Sequence, residues 1–208
     1  MQVVLDLHKK NTLEGELCMT IRYKECLQCH SKRVANILFG LPTSEVMQQV
    51  EQGKVVLGGC MVQIDGPEYE CLDCQHQWNR QQAIEAAYQQ VTKMTFTVGG
   101  FHQGHHEFTI DFEQQTVKYY HALSMKEPLT KSIQDVYREK ETLKMIDILN
   151  WKKNYVHPEI LDGEQWSLEI ARNGRTYKKH GSNEYPRNWR MFCDWLESLV
   201  EQKLFEDK

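Results

Sequence analysis

Apolar and polar residues alternate most clearly between positions 94 and 121. Met94 to Val98 has period two, Glu107 to Phe112 repeats it, and Thr116 to His121 repeats it again. Gly99 to Gly104 and Glu113-Gln114-Gln115 supply the intervening turns. Period two sends successive side chains to opposite faces of a strand, so this stretch predicts a β-meander. Trp166 to Ala171 predicts a further strand. The Asn-Gly pair in Arg172-Asn173-Gly174 favours a tight return through Arg175 to Lys179. Towards residue 200 the spacing changes to three and four. Trp189, Phe192, Trp195, Leu196, Leu199 and Val200 form one apolar stripe, which predicts a helix with Pro186 near its first turn. Another helical stretch is predicted from Pro128 and Thr130 onward, with Ile133, Val136, Tyr137, Leu143 and Ile146 on one face. Asn79 to Gln90, polar and rich in Ala and Gln, reads as a helix or linker.

The earlier part is less regular. Residues 34–41 are an apolar run ended by Gly40 and Pro42. Thr43 to Gln52 predicts a short helix capped by Thr43 or Ser44, with Val46, Met47 and Val50 facing inward. Val55-Val56-Leu57 predicts a strand, and Gly58-Gly59 a turn or bulge. Met19 to Tyr23 predicts a strand, leaving residues 1–18 as an extension in which Val3, Val4 and Leu5 are the alternative strand. The expected fold class is α+β. It comprises an N-terminal extension over 1–19, a small cysteine-bearing β domain over 20–82, and a domain of antiparallel hairpins covered by helices over 83–208.

Composition adds constraints. Of 208 residues, 40% are hydrophobic and 26% charged, and the mean hydropathy is -0.63. No apolar run approaches the roughly 20 residues of a membrane-spanning helix. Val3 to Leu7 is short, broken by Asp6 and followed, not preceded, by Lys9 and Lys10. It does not read as a secretory signal, and the expected location is the cytoplasm, away from membranes. The net charge of -4 is spread evenly, with -1 over 1–19, -1 over 20–82 and -2 over 83–208. No segment is a basic domain of the kind that binds nucleic acid in bulk.

The seven cysteines change the picture most. An odd number without a signal peptide argues against a disulfide framework. Four fall in two C-x-x-C pairs, Cys26/Cys29 and Cys71/Cys74, and Cys18, Cys60 and Cys193 are scattered. Two cysteines separated by two residues reach one ion from a tight turn, and two such turns complete a tetrahedron around a single Zn²⁺. Four thiolates leave no open coordination position, so the expected zinc is structural. A redox C-x-x-C sits alone at a helix start after a buried strand, and neither pair has that setting. The 41 residues between Cys29 and Cys71 predict a small subdomain inserted between the knuckles. His30 and His76, each just past a knuckle, and Cys60, after Gly58-Gly59, are candidates for a mixed ligand set. The simpler reading places them around the site or in the core.

The knuckle pairs, with Tyr23 and Tyr69 ahead and Trp78 behind, resemble the zinc-ribbon group of small β modules. Phe39-Gly40-Leu41-Pro42, Val56-Leu57-Gly58-Gly59-Cys60 and the second pair are similar to a ribbon found in uncharacterised bacterial proteins, across roughly residues 20–80. Such ribbons often carry Pro inside the first knuckle and Gly after each; this chain has Leu27, His30 and Gln75 there. Residues 161–166 and 181–186 also resemble phrases of uncharacterised bacterial proteins. The resemblance implies no activity. Zinc ribbons as a group most often bind nucleic acid or protein.

Three further constellations stand out. His102, His105 and His106, with His121 on the third strand, are a candidate second metal site or simply a polar turn. Arg172, Arg175, Lys178, Lys179, Arg187 and Arg190 face Glu184 alone, with Trp166, Tyr177 and Trp189 interleaved. Such a face suits a phosphate backbone or stacked bases, and equally a solvated hairpin whose aromatics lie in the core. Asp162 and Glu164, with Asn183 and Tyr185, are candidates for acid–base chemistry, although Asp162-Gly163 reads first as a turn and Ser182-Asn183 as a helix entry. No catalytic triad order, phosphate loop or dinucleotide fingerprint is present. The expected function is a zinc-stabilised binding or adaptor protein with a protein or nucleic-acid partner. The alternatives are nucleic-acid binding through residues 172–190, or an enzyme with a site between the domains.

Overall fold

The computed structural model describes residues 21–62, 64–100, 104–124, 127–157 and 163–205. The expected N-terminal extension, His102 and Asp162 lie outside the described residues. The fold is α+β, with helices set against two mostly antiparallel sheets. The smaller sheet holds β1 (Val34–Leu38), β2 (Val55–Leu57), β3 (Tyr69–Cys71) and β4 (Gln77–Trp78) in the order β2-β1-β3-β4. Helix α1 (Ser44–Glu51) joins β1 to β2, which run parallel. The segment between the cysteine pairs therefore widens the sheet that carries the second pair instead of folding apart from it. Thr43 caps α1 by accepting from the Val46 N–H. No residue of α1 is buried, so the expected inward stripe is at most a half-buried one: Val46 and Val50 are partly covered and Met47 is exposed.

The larger sheet has the order β8-β7-β6-β5-β10-β11-β9. The predicted meander is β5 (Val91–Gly100), β6 (Gly104–Asp111) and β7 (Thr116–His121). The predicted hairpin is β10 (Gln165–Arg172) and β11 (Arg175–Ser182), turning on Asn173 and Gly174, both at positive φ. Strand β10 pairs with β5, placing Leu168 opposite Phe96 and Ile170 opposite Met94. Met94, Phe96, Phe108, Ile110, Leu168 and Ile170 are buried on one face, against Phe192 and Leu196 of α4 (Trp189–Val200).

Several expectations change here. Leu129–Ser132 is strand β8 on β7, and the helix α3 (Val136–Ile146) begins only after Asp135, whose carboxylate accepts from the Arg138 N–H. Tyr137 is exposed, so Leu143 and Ile146 carry the buried face of α3. Pro186 precedes α4 and does not enter its first turn; its carbonyl accepts from the Trp189 N–H. Ile21 to Tyr23 form no strand, and Ile21 packs into the larger core. Asn154–Val156 forms the edge strand β9, parallel to β11.

Helix α2 (Arg80–Gln89) connects the two sheets. Asn79 and Gln82 form a reciprocal capping box at its start. Ala83 packs with the cysteines and Trp78, whereas Ala87 and Tyr88 pack in the larger core. Lys140 of α3 is buried and donates to the Gln89 carbonyl at 2.6 Å, fixing the far end of α2. No helix among the described residues is long and apolar enough to cross a membrane.

Candidate metal centre and neighbouring clefts

Each cysteine pair sits in the same local backbone. In the first, the His30 N–H donates to the Cys26 carbonyl at 3.0 Å and the Cys26 N–H to the Ser31 carbonyl at 2.9 Å. In the second, the Gln75 N–H donates to the Cys71 carbonyl and the Cys71 N–H to the His76 carbonyl, both at 2.9 Å. His30 and Gln75 both take a left-handed conformation, with φ of 58° and 61°. These are the positions where ribbons often carry Gly. The knuckle geometry is kept, and each non-glycine residue bears the steric cost of that region.

The sulfur atoms converge. The Sγ atoms of Cys26, Cys29, Cys71 and Cys74 all lie within 4.8 Å of one another, with Cys26–Cys74 and Cys29–Cys71 at 3.5 Å. Four thiolates about 2.3 Å from a central ion are about 3.8 Å apart in a tetrahedron, so the set fits a tetrahedral cation. The backbone also prepares the sulfurs for negative charge. Cys26 Sγ accepts from the N–H groups of Gln28 and Cys29, and Cys71 Sγ from those of Cys74 and Asp73. Cys29 and Cys74 accept from Ser31 and His76. Burial pushes the Cys71 thiol up, but the backbone donors and its Cys29 and Cys74 neighbours outweigh that and hold it at about 7. At Cys29 the Ser31 N–H favours the thiolate, yet the hydrogen bond with Cys74, burial, and the Cys71 and Cys26 contacts push the thiol up to about 12. Four thiolates this close repel one another, and a bound cation removes that obstacle.

The surroundings hold the knuckles together. Asp73 accepts from Ser31 Oγ and from Arg33 at 2.6 Å, tying the second pair to the residues after the first. Trp78 is fully buried beneath the cysteines, and its indole N–H donates to the Tyr23 carbonyl at 2.9 Å. Among the described residues, the four cysteines form the group able to hold a metal. His30 is exposed, and His76 stacks on Trp78 with ring centres 5.8 Å apart. Cys60 is exposed, so it is not a core residue. Cys193 is buried in α4, and burial pushes its thiol up to about 12. No protein-family model and no curated protein matches the chain. The donor set and its geometry are what mark these four cysteines as able to hold a metal.

The other predicted constellations are rearranged. His106 and His121 are neighbours across β6 and β7, with ring centres 4.5 Å apart, and His106 Nδ1 hydrogen-bonds the Tyr119 hydroxyl at 2.9 Å. Burial, followed by the His121 charge, holds His106 below the usual histidine value. His105 is exposed. Two neighbouring imidazoles do not complete a metal-ligand set among the described residues.

The basic residues of 172–190 do not share one open face. Arg172 and Lys179 are only 4% and 2% exposed, with Lys179 Nζ bonded to the Leu149 and Trp151 carbonyls. Lys178 pairs with Glu169 at 2.6 Å and Arg190 with Asp194 at 2.9 Å. Trp166 and Trp189 are core residues, leaving Tyr177 partly open and Arg175 and Arg187 exposed. The alternation of β11 explains the split, since Lys178 and Lys179 point to opposite faces.

Glu164 accepts from the Tyr185 hydroxyl at 2.9 Å, and its N–H donates to Asn183 Oδ1 at 2.9 Å. Asn183 therefore anchors the start of β10 and does not open a helix. Burial, followed by the Glu164 hydrogen bond, raises the Tyr185 hydroxyl well above its ordinary value. Glu164, His106, Arg190 and Cys193 line a pocket of about 170 Å³ between the larger sheet and α4. A larger cleft, of about 230 Å³, lies where the first knuckle, α2 and the β10–β11 turn meet. The sequence offered little sign of it, because its walls come from segments far apart in the chain.

Proposed function

We propose that this chain is a cytoplasmic binding or adaptor protein stabilised by one structural zinc ion held by Cys26, Cys29, Cys71 and Cys74. The convergence of four thiols, each with at least one backbone N–H donor, carries the zinc reading. Zinc in such a set crosslinks two distant turns and takes no part in chemistry. The binding reading is supported by the segment between the knuckles. Leu41, Met61, Val62 and Ile64 are exposed there, Leu41 by 90% and Ile64 by 95%. Met61, Val62 and Ile64 are also near neighbours in the sequence, and apolar side chains grouped at a protein surface favour a protein partner over solvent.

Native mass spectrometry before and after chelation tests the metal. One zinc per chain is expected, lost in Cys26→Ser and kept in Cys60→Ser. No metal, or metal surviving Cys26→Ser, overturns the assignment. Affinity capture compared between the natural chain and a Met61→Ser/Ile64→Ser variant tests the surface. The expected result is loss of captured protein with an unchanged Tm, and equal capture removes the support of these residues.

A further inference from the structure

We propose that the cleft between the first knuckle, α2 and the β10–β11 turn binds a compact phosphate-class anion, either inorganic phosphate or the terminal group of a small phosphomonoester. Three arginines, Arg22, Arg172 and Arg175, are among the residues that line it. The one carboxylate among its described lining residues is Glu25, which is engaged by Arg22 Nη1 at 3.0 Å. In a chain of net charge -4, this concentration of positive charge in a concavity is not a by-product of overall composition.

The hairpin produces the arrangement. Arg172 continues the inward face of β10 beyond Trp166, Leu168 and Ile170, which places its guanidinium under cover. Its Cζ lies 5.3 Å from the centre of the Tyr177 ring, which orients it. The left-handed Asn173-Gly174 turn then makes Arg175 the direct cross-strand partner of Arg172. Like charges directly opposite one another destabilise a strand pair, and an anion shared between them reverses the sign of that term. Guanidinium forks match the oxygen geometry of phosphate and bind it bidentately. The volume of about 230 Å³ is below the usual range for drug-sized ligands, so the cleft suits the phosphate group with little attached to it. Ala83, Ala86 and Ala87 add an apolar wall that favours an ester carrying a small apolar group.

The test is calorimetric titration of the full chain at fixed ionic strength with inorganic phosphate and, separately, phenyl phosphate. Zinc content is measured in the same sample, so failure of the cleft and failure of the metal reading are told apart. Saturable binding at one site by either probe is expected, and the tighter probe identifies the free anion or the ester. Arg175 is exposed at the turn, so Arg175→Ala leaves the fold intact, checked by Tm, and weakens binding about tenfold or more. Arg187→Ala, exposed outside the cleft, leaves it unchanged. Absence of saturable binding by both probes overturns the proposal, as does equal weakening by the two variants. Tight binding of a single-stranded oligonucleotide with no response to either probe also overturns it.

Discussion

Single residues in this chain are most informative where burial and charge conflict. Glu197 of α4 is a carboxylate only 4% exposed. Burial would raise its pKa, but Lys203 at 2.8 Å and the N–H groups of Phe205 and Leu204 outweigh that and lower it to about 2. The folded state thus binds a proton more weakly than the unfolded chain, whose glutamate titrates near 4.5. The stability from this group is complete above that pH and is lost as the pH falls towards 2. Glu197→Gln is expected to lower unfolding free energy at pH 7 by about 1–3 kcal/mol. Urea unfolding of both forms checks this, with the difference shrinking between pH 4.5 and 2. At this scale the convergence of Cys26, Cys29, Cys71 and Cys74 was legible in the sequence, because C-x-x-C spacing is itself what a shared metal would require. The roles of Arg172 and Lys179 were not. A charged residue on the inward face of a strand looks like a surface residue until the register is known.

Whole elements were legible in proportion to their length and periodicity. Strand β7 has its predicted bounds, and α4 follows its apolar stripe. Strands β8 and β9, of four and three residues, carry too few positions to show a period and exist because β7 and β11 offer open edges. The onset of α3 was misplaced because the β8 residues are held by cross-strand bonds to β7, an override of local preference by pairing. Helix α2 read ambiguously as helix or linker since its apolar positions are divided between two clusters and form no single stripe. Its start depends correspondingly on the capping box. Asn79→Ala removes both the bond to the Gln82 N–H and that to the Asp65 carbonyl, and is expected to cost about 1 kcal/mol, read as a fall in Tm.

Over the whole molecule, the α+β class was legible from the switch between period two and period three to four, but the joining of the two sheets was not. We propose that residues 20–82 and 83–208 are separate folding units that meet along α2. Metal removal is then expected to abolish amide protection in β1 to β4 and the first turn of α2, while β5 to β7, β10 and β11 keep theirs. Hydrogen exchange with and without chelator checks this, and uniform loss across both sheets would show one cooperative unit. The pairing of β5 with β10 also has a consequence during synthesis. Strand β5 ends at Gly100 and its partner begins at Gln165, so the meander of β5 to β7 emerges well before the strand that covers its central edge. At roughly 5–20 residues per second, that edge waits about 3–13 s for its neighbour. The nascent chain thus passes through an interval in which its longest described strand is half-paired, when a chaperone would have most to protect.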